Sequence, residues 1–170
     1  MNPQRLIILL AAALALLVAT PTAIAAQSYS DTVSGYEYAF TSTDGKFAGS
    51  ASGSLPGAWN ADVRHTPLCL SCTPTATITG GSFSLGTTHN GAPALVTGGF
   101  TGGTVQVINP GAGCTNQTFA VHGILGHVGW WSAGSGSGTF NVTLTHYRHS
   151  IFGRCVSYSA SVRGTLSLTL

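Results

Sequence analysis

The chain predicts an all-β protein, an antiparallel meander of seven or eight strands closing into a small barrel, with a β-sandwich as the alternative. Three observations lead there. Apolar and polar residues alternate with period two in several segments, and no segment repeats apolar residues at helical spacing among helix formers. Gly and β-branched residues are spread through residues 26–170. Turn signals recur at short intervals: Asp44-Gly45, Asn90-Gly91, Asn109-Pro110-Gly111 and Gly134-Ser135-Gly136-Ser137-Gly138.

In chain order, residues 1–25 read as an export signal. Arg5 supplies the basic start, residues 6–18 an unbroken apolar run, and Ala23 and Ala25 an A-x-A cleavage pair. The run is shorter than the roughly 20 residues a membrane-spanning helix needs. Cleavage near Ala25 or Ala26 would leave a single domain, 26–170, in an extracellular or periplasmic setting. Strands are expected over 36–40, 47–54, 75–85 and 94–108. The glycine pairs Gly98-Gly99 and Gly102-Gly103 suggest sharp bends in the last of these. Trp59, after Pro56-Gly57, reads as a cap on a core edge.

Three further strands follow. Phe119, Val121 and Leu125 share one face of the first, and Phe140, Val142 and Leu144 share one face of the second. The third alternates from Tyr158 through Ala160, Val162, Gly164, Leu166 and Leu168 to Leu170. Pairing about the glycine-rich loop sets an odd parity between the first two. A turn near Phe152-Gly153 sets an even parity between the last two. A slip by one residue would expose an apolar face, so parity is strongly constrained.

Composition excludes several functions. The 170 residues carry 6 Lys+Arg and 4 Asp+Glu, 6% charged in all, against about 25% in ordinary globular proteins. Six basic side chains cannot neutralise a run of phosphates, so nucleic acid is not an expected partner. With so few carboxylates, little stability is linked to protonation. The fold should tolerate a wide pH range, and a steep loss of stability near pH 4 in a denaturation series would contradict that.

Four cysteines in an exported chain read first as two disulfides. Cys69 and Cys72 form a C-x-x-C between Pro67 and Pro74, a loop setting unlike the helix start a redox motif uses. Cys114 and Cys155 fall at the same end of the expected sheet. The pairings expected are therefore Cys69 with Cys72 and Cys114 with Cys155, with crossed pairings as the alternative. No second paired motif at zinc-ligand spacing is present, so no metal and no cofactor is expected.

No catalytic residue is assigned. Of the six histidines, His127 and His146 share the apolar face and His122 and His149 the polar one, but each pair falls too far apart on the expected ladders to share a ligand, while His65 and His89 fall in loops without a fixed position; all six read as surface or edge residues. Gly49-Ser50-Ala51-Ser52-Gly53 has alanine where a nucleophile elbow needs serine. Among the carboxylates Glu37 stands out, lying between Tyr36 and Tyr38. If those aromatics face the core, Glu37 is solvated. If the other face is the interior, Glu37 is a lone buried acid and a binding candidate. Trp130-Trp131, at a hairpin tip, either contacts a ligand or plugs an end of the barrel.

These residues support a secreted, non-catalytic barrel that binds a small ligand, a glycan or a surface protein, with Trp130, Trp131 and Glu37 as weak binding candidates. The alternatives are an outer-membrane barrel, a self-assembling surface protein, or an enzyme whose site lacks a familiar motif.

Overall fold

Alternation becomes strand wherever one face can be buried, and here that holds along nearly the whole domain. The computed structural model describes residues 25–68 and 74–170. The expected export segment up to residue 24, and both Cys69 and Cys72, lie outside the described residues. Eight strands follow in order: β1 Ser28–Phe40, β2 Asp44–Gly53, β3 Gly57–His65, β4 Thr75–His89, β5 Ala92–Asn109, β6 Gln117–Trp130, β7 Gly136–Ile151 and β8 Arg154–Thr169. Each pairs antiparallel with its sequence neighbours, and β1 with β8 closes the barrel. A short 3-10 turn, Ala112–Cys114, interrupts the β5–β6 connection.

Local turn chemistry accounts for two of the hairpins. Asn90-Gly91 and Phe152-Gly153 each carry positive φ at both residues, as a type I′ turn requires. The β6–β7 pairing keeps the expected odd parity, with Phe119 opposite Leu144 and Val121 opposite Val142. The β7–β8 pairing keeps the even one through Phe140 opposite Leu166 and Leu144 opposite Val162. The glycine pairs of β5 do mark bends, since the register shifts between Thr97 and Gly99 and between Phe100 and Gly102.

Three expectations need correction. Trp59 caps no edge: β3 is a full strand with Trp59, Ala61 and Val63 inward, and Trp59 is 0% exposed. Its indole N–H donates to the carbonyls of Ser34 and Ser50, at 3.2 and 3.1 Å. His127 leaves the apolar face, because a bulge with φ of 55° turns it outward and returns Val128 to the core. Tyr158 is exposed although its parity is that of Leu166: β8 outruns β1 there, and a register shift against β7 leaves Tyr158 itself without a ladder partner.

An eight-stranded barrel is just wide enough for side chains to fill. Phe140 stands at the centre, with Trp59, Phe83 and Phe100 at ring-centroid distances of 5.3, 6.4 and 6.0 Å. One end is shut by Leu55, Leu168 and Tyr29, with Trp130 edge-on to Tyr29 at 6.2 Å. At this closed end Asp31, buried on β1, accepts the Leu55 N–H at 2.7 Å.

Gly103 shows how tightly the strands approach. Its φ is 125°, and a Cβ there would stand 2.0 Å from the His122 carbonyl oxygen. Gly103→Ala should therefore cost at least about 2 kcal/mol in a urea titration, since both the conformation and the contact must give.

Candidate functional site

The end opposite Trp130 is built differently. β1 and β8 pair only over residues 28–35 and 162–169. Beyond that point residues 36–40 pair with β2 alone, and residues 154–161 with β7 alone. The barrel wall thus carries a seam at its open end, and two polar side chains meet beneath it.

Parity brings them there. Tyr29, Asp31 and Val33 point inward on β1, so Glu37 does as well, and Tyr36 and Tyr38 point out. On β7, Phe140, Val142 and Leu144 point inward, and His146 continues their row. Its Nε2 lies 2.5 Å from Glu37 Oε2, with side-chain exposures of 9% for His146 and 3% for Glu37. Ala160 of β8 is the residue opposite His146, and its small side chain lets the two meet across it. Glu37 Oε1 lies over Gly45, where a Cβ would sit 2.7 Å from it. Among the described residues Oε1 has no hydrogen-bond partner. Phe40 and Phe119 flank the imidazole at centroid distances of 5.0 and 5.2 Å and hold its plane.

Two openings reach this pair. An axial cavity of about 180 Å³ runs in from the open end over Phe40, Leu68, Val105, Phe119 and Leu144, with Asp44, His65 and Gln117 also in its wall. A lateral cavity of about 160 Å³ lies along the seam, between Tyr38 and Phe40 on one side and Tyr158 and Ala160 on the other. Asp44 at the rim is held below its ordinary value of 3.8, first by the Thr43 hydroxyl and then by that of Thr41. Its contribution to the β1–β2 turn is present above 3.8 and lost as pH falls toward the lower folded value.

The seam has a brace. Cys114 and Cys155 form a disulfide, Cα to Cα 5.5 Å, tying the β5–β6 loop to the start of β8. Arg148 adds a guanidinium bond to the Gly111 carbonyl at 3.1 Å, and its N–H donates to Asn116 Oδ1 at 3.2 Å. Reducing this disulfide should speed amide exchange over residues 148–158 while the core strands keep their protection. Uniform acceleration across the barrel would show instead that the brace carries global stability.

The structure does not bring the sequence's binding candidates together. Glu37 sits at the open end. Trp130 packs on the core at the closed end, stacked on His89 at 4.3 Å, and Trp131 is exposed beside it. The view of the histidines as surface or edge residues fails for His146, which is buried. Its partner is no histidine on a neighbouring ladder but a carboxylate two strands away around the barrel. His122 is exposed and bonds to Asn141. Among the described residues no group of three or more His, Cys, Asp or Glu could hold a metal ion.

No family model matches this chain, and neither a curated protein nor a solved structure matches it.

Proposed function

We propose that this protein is an exported binding barrel that takes a small organic ligand at its open end, over Glu37 and His146. One observation carries the reading. Apart from Asp31 at the closed end, the interior is filled with apolar side chains except at this end, where a buried acid and imidazole lie beneath solvent-reaching apolar cavities. A buried carboxylate–imidazole pair is weak as a stabilising device, since hydrophobic replacements of equal volume do as well or better. Apolar walls with a few convergent polar groups are the ordinary make-up of a ligand site.

The outer surface supports a barrel that stands in water. The outward rows of β7 and β8 include Asn141, Thr143, Arg163, Thr165 and Ser167, while the inward rows are Phe, Val and Leu. A barrel in lipid carries the reverse pattern.

Amide shift mapping with a panel of neutral, anionic and cationic ring fragments tests the reading. Shifts should cluster on residues 37–44, 117–119 and 144–146. Shifts confined to Trp130 and Trp131, or no shifts at all, would overturn it. Native mass spectrometry of protein from its own culture medium tests export, with a chain starting at Ala26 or Gln27 as the expected mass.

The unpaired edges at the seam favour a second reading, self-association by strand pairing along residues 154–161. A sedimentation mass that rises with concentration, and a Tyr158→Lys variant that stays monomeric, would support it over the first.

A further inference from the structure

From the lateral cavity we infer that the ligand is an organic cation of the substituted-ammonium class, seated in the seam with its charge facing Glu37. This rests on the binding reading above and names the ligand chemistry of the same site.

Three features converge on that class. Aromatic rings surround the lateral cavity: Tyr38, Phe40 and Tyr158 all line it, and each is more than half exposed. Large aromatic rings standing in water at an opening, with a filled core available beneath them, are the costly arrangement. An organic cation is what such ring faces hold best, through the negative face of each ring.

The second feature is the acid. The Glu37 side chain lies at the base of the same cavity. His146 engages one of its oxygens and leaves Oε1 without a partner among the described residues. A carboxylate in an apolar setting is poorly screened, so its attraction for a cation is stronger there than at the surface.

The third is the sign of the surroundings. Asp44 stands in the wall of the axial cavity, its charge held by the Thr41 and Thr43 hydroxyls. Among the described residues no Lys or Arg lines either opening. Lys46 is engaged elsewhere, 2.7 Å from Asp62. An anionic ligand would meet two carboxylates and no permanent cation. A neutral one would leave the charge of Glu37 unused.

Choline and its neutral isostere, in which a quaternary carbon replaces the nitrogen, separate charge from shape. Both are titrated into the full-length mature protein, with amide shifts of residues 36–40 and 156–160 as the readout. Choline should bind at least about tenfold more tightly than the isostere, in line with a desolvated cation on aromatic faces. Glu37→Gln should abolish that preference. Tyr158→Ala removes an exposed ring that the core does not need, and should weaken choline several-fold while leaving the fold intact.

Equal binding of the two probes would overturn the cation assignment and leave the small-ligand reading standing. Choline shifts outside the seam, or none, would overturn it too. The fragment panel then decides separately whether the open end binds anything.

Discussion

Phe140→Ala is expected to remove about 4 kcal/mol of stability, the cost of truncating a fully enclosed aromatic. Phe140 is 0% exposed and is the shared neighbour of Trp59, Phe83 and Phe100. Its loss opens a cavity at the centre of the barrel, where rigid strands on every side limit collapse. Urea unfolding followed by tryptophan fluorescence measures the change, with Trp59 as the nearest reporter. Phe140→Leu should recover more than half of the loss, because most of the volume returns. An alanine variant within 1 kcal/mol of the parent would mean that the core is looser than its burial implies.

The second large effect concerns Glu37 and His146. His146→Ala should cost about 3 kcal/mol, because it strands a carboxylate under Phe40 and Phe119 and opens a gap between them. Replacing both partners, Glu37→Met with His146→Leu, should restore stability to the parent level or above it. Removing both polar partners together spares the cost of burying them, and apolar groups of similar volume fill the space. The prediction is thus a non-additive pair: one single variant is unstable, and the double variant is stable but does not bind. If the double variant is as unstable as His146→Ala, the pair is structural, and the case for a binding site at the open end weakens.

Much of this site was legible, and where it was not the cause can be located. The inward face of β7 is legible from Phe140 to Leu144, and His146 lies one step further along it. Its role is not legible there, because the neighbouring ladders offer it no partner. Its actual partner is 109 residues away in sequence. Taken from Tyr36 onward, the first strand leaves Glu37 between two orientations. Begun at Ser28, it contains Val33, which shares the parity of Glu37 and is wholly buried, and that decides the question. At the start of β3 Pro56-Gly57 suggests a loop, although Trp59, Ala61 and Val63 already alternate.

The sequence by itself determined the strand character, most of the turns, the parity of the last three strands, and the meeting of Cys114 with Cys155. Each of these rests on neighbours in the chain or on a period of two, and a one-residue error in either would bury polar groups. Only the tertiary structure decided that β8 outruns β1, that a seam opens there, and that Glu37 and His146 meet beneath it. Those outcomes depend on where two strands from opposite ends of the chain stop pairing. Barrel closure sets that point through the stagger of all eight strands, and no local pattern of residues encodes it.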